Sequence, residues 1–254
     1  MKRCQFESKL AVNNIVNNVW NEESDKMELV ELANHFQTDK GTNTGHSHNY
    51  AAPYSFIFES FRYQHFSMLE IGLLRGGVEA GASVDRIGSD VPSIRTWLEY
   101  FPNADVYGFD LSNFSHINLP RFEFHRGDLG SGDDLDRLAG ALPDLKLVID
   151  DGSHASFHQQ FAFLKLFHKI VPGGFYVIED FHWQPPFEKD LPRCHKSRDV
   201  FENFTKTGAF DIPFAHPAHL EAVASEIQHI FIHRNDHGGI DTWQTKMVVI
   251  QKRL

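Results

Sequence analysis

The sequence predicts a doubly wound α/β fold: a mostly parallel seven-stranded sheet preceded by an N-terminal helical cap. Three observations lead to it. Apolar residues spaced i, i+3, i+4 recur through residues 1–66, as amphipathic helices require. From residue 67 the pattern changes to short apolar runs that end in an acid or a glycine and alternate with helix-like stretches, the mark of βαβ units. Two of these runs, Lys146-Leu147-Val148-Ile149 and Phe175-Tyr176-Val177-Ile178, are near-continuously apolar, which suits strands buried on both faces of a parallel sheet.

Val12, Ile15, Val16, Val19 and Trp20 mark a leading helix. Leu29, Leu32, Ala33 and Phe36 mark a second behind the N-cap candidate Ser24, and Tyr54, Ile57, Phe58 and Phe61 a third behind Pro53. The segment 1–66 is thus a cap and 67–254 the sheet domain. Strands are expected at Met68–Ile71, Val106–Leu111, Phe122–Arg126, Leu147–Asp150, Phe175–Glu179, His229–His233 and Met247–Gln251. Helices between them are marked by Ile94, Trp97, Leu98 and Phe101, by Leu135, Leu138 and Leu142, and by Phe157, Phe161, Leu164 and Phe167. The last two strands are joined through Asn235-Asp236-His237-Gly238-Gly239, which implies an antiparallel hairpin at one edge. Pro172-Gly173-Gly174 reads as a turn before the fifth strand, and the proline-rich stretch Gln184–Cys194 as an irregular loop.

The bulk properties exclude several functions. At 254 residues, 41% hydrophobic and 23% charged, the chain can bury one large α/β core. A net charge of −10 argues against nucleic acid as a partner, since phosphate binding draws on clustered Lys and Arg. Cys4 and Cys194 are too few for a disulfide framework and form no CxxC pair, so a reducing cytoplasm is the expected compartment. No apolar run suggests a signal peptide or a membrane helix. The 16 histidines are mostly scattered, and an isolated one is more often structural than functional.

In open α/β sheets ligands bind outside the carboxyl ends of the strands. Here those ends are acidic. The first strand ends Glu70-Ile71-Gly72-Leu73-Leu74-Arg75-Gly76-Gly77, the second Gly108-Phe109-Asp110 and the third Arg126-Gly127-Asp128. A glycine-rich turn allows close backbone approach, and an acid at the next strand tip can accept both hydroxyls of a ribose, so an adenosine-containing cofactor is indicated. Gly72, Gly76 and Gly77 lack the G-x-G-x-x-G spacing of a pyrophosphate site, which disfavours a nicotinamide dinucleotide. Glu70 would repel phosphate but suits a cofactor bearing a sulfonium and an α-amino group.

The fourth strand ends Asp150-Asp151-Gly152-Ser153-His154 and the fifth Glu179-Asp180-Phe181-His182. Parallel neighbours about 4.8 Å apart would bring Asp151, Glu179 and Asp180 together, and that density of carboxylates calls for a cation. Hard oxygen ligands without cysteine favour Mg²⁺. Helix capping and Arg or Lys pairing are the structural alternative for these acids. His154 falls at the start of the next helix, whose positive end disfavours an extra proton on the ring. A neutral imidazole there can act as a base, with His158 and His182 as weaker candidates; an N-terminal histidine with no chemical duty is the alternative.

With these residues in view, the chain resembles the class I S-adenosylmethionine-dependent methyltransferases over residues 67–254. Ile149-Asp150-Asp151-Gly152-Ser153-His154 with Pro172-Gly173-Gly174 and Ile178-Glu179-Asp180 resembles the metal-dependent sugar O-methyltransferases of macrolide biosynthesis, the mycinamicin 2''-O-methyltransferase type. Cephalosporin-hydroxylase-like proteins are similar. The resemblance implies a Rossmann-like methyltransferase fold with S-adenosylmethionine and Mg²⁺ as cofactors, Mg²⁺ on Asp151, Glu179 and Asp180, and His154 as base. It implies Asp110 at the ribose and Asp128 near the adenine, with Glu70, Gly72 and Asp150 completing the cofactor set. Thr38-Asp39-Lys40-Gly41 and the run His48 through Tyr50 to Tyr54 resemble the family's segment before the sheet, which implies a cofactor contact at Tyr50. The chain departs from an ordinary methyltransferase in an insertion, Val78–Pro92, after the glycines.

The function this implies is methyl transfer from S-adenosylmethionine to a hydroxyl of a sugar or glycosylated natural product, a small-molecule acceptor, by a cytoplasmic enzyme that can form a homo-oligomer. Other readings are methylation of a phenol, a carboxylate or an antibiotic intermediate, a non-catalytic cofactor-binding protein, and a nicotinamide-dependent oxidoreductase. Phe201–Phe204 and the leading helices are expected to line an acceptor pocket or a subunit contact.

Overall fold

The computed structural model describes residues 27–45, 47–236 and 243–254. The leading helix expected at Val12–Trp20, its neighbouring cap Ser24, and His237 to Gly239 of the expected hairpin turn lie outside them. The described residues fall into two compact units, 27–64 with Arg95–Asn103, and His65–Ile94 with Ala104–Leu254. No described helix is long and apolar enough to cross a membrane.

The first unit is helical, with α1 (Leu29–His35), α2 (Ala51–Phe58) and the second half of α3 (Pro92–Tyr100). Glu28 and Glu31 form a reciprocal capping box at the start of α1, so orphan N–H groups there are satisfied without Ser24. Its core is aromatic: Phe58 stacks on Tyr54 at 4.9 Å and Phe61 on Phe101 at 5.9 Å, with Trp97 edge-on to Tyr54. Arg62 is buried in this unit. It is tolerated because Nε donates to the Tyr100 carbonyl at 3.2 Å and Nη2 to that of Met27 at 2.8 Å, with the guanidinium over the Tyr100 ring.

The second unit is built on a seven-stranded sheet in the order β3-β2-β1-β4-β5-β7-β6. The strands are β1 (Phe66–Ile71), β2 (Ala104–Asp110), β3 (Phe122–Arg126), β4 (Leu145–Asp150), β5 (Ile170–Ile178), β6 (Ile227–Asp236) and β7 (Trp243–Lys252). The first five run parallel, and β7 lies antiparallel between β5 and β6. The strand order reverses at β1 and β4, which places the crevice of such a sheet at the tips of these two strands.

One expected turn is absent. Pro172-Gly173-Gly174 lies inside β5, which begins at Ile170: Gly173, at φ 69°, absorbs a register shift against β4 between Leu145 and Leu147 and produces a bulge where a chain reversal was expected. Lys146 Nζ secures the bulge by donating to the Gly173 carbonyl at 3.1 Å.

Helices α4 (Gly132–Ala141), α5 (Ser156–Leu166), α6 (Ser197–Thr207) and α7 (Pro217–Ser225) complete the unit. The main core centres on Phe163 of α5, whose ring lies 5.0 to 5.7 Å from those of Phe167, Tyr176, Phe201 and Phe210. Phe201 is fully buried here and Phe204 packs against the same cluster. This segment is therefore core, which corrects the expected pocket or subunit role. Its helix escapes a reading by apolar runs because Arg198, Asp199, Glu202 and Asn203 fill its outer face.

Candidate active site

The parallel register pairs Asp150 of β4 with Ile178 of β5, so the two chains leave the sheet side by side, Asp151 beside Glu179. The Glu179 N–H donates to the Asp150 carbonyl and the Asp151 N–H to that of Ile71, both at 2.9 Å, which extends the ladder one residue past each strand. Gly72 closes the same junction. It has φ 82°, and any Cβ there would overlap the Asp151 carbonyl, so only glycine fits between the tips of β1 and β4.

Beyond that junction, Asp151, His154 and Asp180 each present one ligand-type atom within 4.8 Å of the other two. His154 Nε2 stands 3.7 Å from Asp180 Oδ2, and His182 Nδ1 lies 3.8 Å from Asp180 Oδ1. His154 (φ 59°) and Asp180 (φ 56°) both hold the left-handed backbone conformation, uncommon for side-chain-bearing residues and concentrated at functional turns. Their side chains are largely buried, and the edge of Trp183 meets the His154 ring at 5.6 Å between centroids. His154 Nδ1 is buried without a hydrogen-bond partner among the described residues. Such an atom, with two carboxylates alongside, fits a polar ligand or a hard cation better than a dry core.

Glu179 is buried at the same tip, and its own carbonyl accepts from Gln159 Nε2 at 3.0 Å, but its carboxylate is not in the three-residue group. Asp150 is fully buried. Its Oδ1 accepts weakly from the Gly152 N–H at 3.3 Å, and its Oδ2 has no hydrogen-bond partner among the described residues. Burial first, and then the neighbouring Asp151 charge, push its carboxyl up to about 8, with the Gly152 N–H opposing them.

The other strand tips carry the remaining expected residues. Asp110 Oδ2 accepts the Leu73 N–H at 2.9 Å and Oδ1 the Ser112 N–H at 2.7 Å. Burial raises its carboxyl pKa, opposed by these N–H groups and by the Arg86 cation. Glu70 is fully buried and accepts from Ser93 Oγ at 2.7 Å. Asp128 is exposed and folds back on the Gly130 N–H at 2.8 Å. Tyr50 lies in the helical unit just before α2, buried, with its ring stacked on His48.

His158, a secondary candidate, is buried and joined to Ser153 Oγ through Nδ1 at 2.7 Å. Three residues with a bearing on the site were not singled out from sequence. Arg86 and Trp183 sit in irregular segments. Lys246 sits at a break in the β6–β7 register, between Thr245 and Met247, where it is nearly inaccessible; burial lowers its pKa and Asp180 opposes this. The insertion Val78–Pro92 was the available signal for the first; the others carry no local pattern.

Acids at the tips of parallel strands, a glycine turn at the switch point and a 3-2-1-4-5-7-6 sheet together define a class I methyltransferase fold. The comparisons make this specific. The chain is 31% identical over 236 residues to the mycinamicin VI 2''-O-methyltransferase of Micromonospora griseorubida, covering 87% of this chain and 56% of that protein. It is 38% identical over 133 residues to the 8-demethyl-8-α-L-rhamnosyl tetracenomycin-C 2'-O-methyltransferase of Streptomyces olivaceus, covering 52% of this chain and 33% of the relative. Among solved structures it superposes on the MycE methyltransferase of the mycinamycin biosynthetic pathway, in complex with Mg and SAH, with a TM-score of 0.68 at 26% identity, covering 91% of this chain and 56% of that one. No protein-family model matches. The chain is thus a homologue of sugar O-methyltransferases from macrolide and polyketide pathways, and it spans about half the length of the relative matched most extensively.

Proposed function

We propose that this protein transfers a methyl group from S-adenosylmethionine to a sugar hydroxyl of a glycosylated natural product, with Mg²⁺ at the tips of β4 and β5. The observation that carries the reading is the convergence of Asp151, Asp180 and His154 at the switch point of the sheet. Asp151 and Asp180 would hold the ion, and Glu179, buried beside them, adds a third acid to the same tips. When bound, the ion polarises and acidifies the acceptor hydroxyl.

The chain supplies the rest. His154 takes the hydroxyl proton as the oxygen attacks the methyl group, and Asp180, 3.7 Å away, steadies the imidazolium that results. Asp110, held at the tip of β2 by the Leu73 and Ser112 N–H groups, would accept the ribose hydroxyls. Glu70, Gly72 and Asp150 would line the donor's side of the junction and Asp128 its adenine end. Alignment of donor and acceptor carries much of the rate, because the sulfonium is already an activated methyl donor. The mycinamicin and tetracenomycin relatives favour a sugar acceptor, and a cytoplasmic setting would supply the methyl donor and Mg²⁺.

The test is incubation of the protein with S-adenosylmethionine, Mg²⁺ and a panel containing mycinamicin VI, rhamnosylated polyketides and simple catechols, read by mass spectrometry. Addition of one methyl group to a glycoside, abolished by chelator and reduced about a hundredfold or more in Asp151→Asn, is expected. Transfer that persists in chelator, or that reaches only the catechols, contradicts it.

A further inference from the structure

The insertion after the glycine turn is folded onto the strand tips. Its Arg86 donates from Nη2 to the Leu74 carbonyl at 3.2 Å and from Nη1 to that of Arg75 at 3.3 Å, so one guanidinium spans two consecutive carbonyls of the glycine turn. The backbone around Arg86 is fixed in turn. Its carbonyl accepts the Asn113 N–H at 2.9 Å, and the Gly88 N–H donates to the Asn113 carbonyl at 3.0 Å, so that Ile87 forms a parallel bridge with Asn113 just past β2. Gly88 is obligatory in this bridge, since any Cβ would collide with the Phe114 ring. A second guanidinium, from Arg126 at the end of β3, donates to the Leu111 carbonyl at 2.9 Å and to that of Val84 in the insertion at 3.0 Å.

These contacts tie the tips of β1, β2 and β3 together through the insertion. The carbonyls Arg86 holds follow directly on Leu73, whose N–H is bonded to Asp110. The same cation counters the burial of Asp110. From this geometry we infer that Arg86 is a positioning residue for the adenosyl ligand: it braces the glycine turn and keeps the Leu73–Asp110 contact in register, without itself taking part in methyl transfer. The inference rests on the proposed use of an adenosyl cofactor, but its structural half stands apart from that reading.

The two halves are read separately. In hydrogen exchange on the unliganded protein, Arg86→Gln should accelerate the Leu73 and Gly77 amides about tenfold, the worth of a charge-assisted hydrogen bond or two, and leave the β4 and β5 amides unchanged. In calorimetry, Arg86→Gln should weaken S-adenosylhomocysteine binding by about tenfold, and Arg86→Lys should recover only part of it, because an ammonium lacks the rigid planar fork that fixes two carbonyls at once. In turnover the change should fall on the KM for S-adenosylmethionine and leave kcat at saturation nearly intact. Unchanged exchange in Arg86→Gln, or unchanged S-adenosylhomocysteine affinity in a wild type that binds it, overturns the inference. A wild type that does not bind S-adenosylhomocysteine overturns the functional reading, and the exchange experiment then decides the brace by itself.

Discussion

Gly72 shows how a single residue ties fold to site. Its positive φ and the Asp151 carbonyl against its α-carbon leave no room for a side chain, so the β1–β4 junction at the crevice depends on it. Gly72→Ala should lower stability by about 2–4 kcal/mol, from left-handed strain plus displacement of the β4 tip, measured by urea denaturation. The neighbouring acids allow a cleaner separation of fold from chemistry. Asparagine keeps the shape of aspartate and tolerates the left-handed conformation of Asp180, so Asp180→Asn should melt close to the wild type while divalent-ion binding falls sharply. Asp110, Asp151 and Asp180 were legible in the sequence because each ends an apolar run. The backbone twist that aims His154 and Asp180 was not, since neither residue type announces it. Nor was the raised pKa of Asp150, which follows from its complete burial and no local pattern.

At the scale of elements, α5 carries both core and site. Phe163 is fully buried at the centre of four aromatic rings, and Phe163→Ala should cost about 3–5 kcal/mol in thermal or chemical denaturation. One turn before it, burial holds the His158 imidazole below its ordinary value of 6.5, with Asp128 opposing only in part. The folded protein therefore binds fewer protons here than the unfolded chain, and the stability this imidazole contributes above pH 6.5 is lost as pH falls through and below that value. His158→Gln should flatten the fall in melting temperature on acidification below pH 6.5, while leaving the melting temperature above that pH less affected. The β-strands were readable as apolar runs with defined ends. Helices α6 and α7 were not, because one apolar stripe on an otherwise polar segment between two strands leaves no continuous run. β5 starts earlier than its sequence predicts, because Pro172-Gly173-Gly174 forms a bulge inside the strand, with Gly173 in the left-handed conformation, where the sequence predicts a turn before it.

For the molecule as a whole, the doubly wound sheet was legible because alternation of apolar runs with helical periods leaves few other topologies, and the strand order places the acids on the switch point. The chain matches 56% of the mycinamicin VI 2''-O-methyltransferase and 33% of the tetracenomycin 2'-O-methyltransferase. The claim on which the account depends is that Asp151 and Asp180, with Glu179 at the same strand tips, hold one divalent ion beside an adenosyl ligand, with His154 alongside as the base. Mn²⁺ titrated into the protein with S-adenosylhomocysteine, followed by electron paramagnetic resonance, tests it directly. The account predicts one bound ion per chain, lost in both Asp151→Asn and Asp180→Asn; no bound ion, or a bound ion that survives both substitutions, would contradict it.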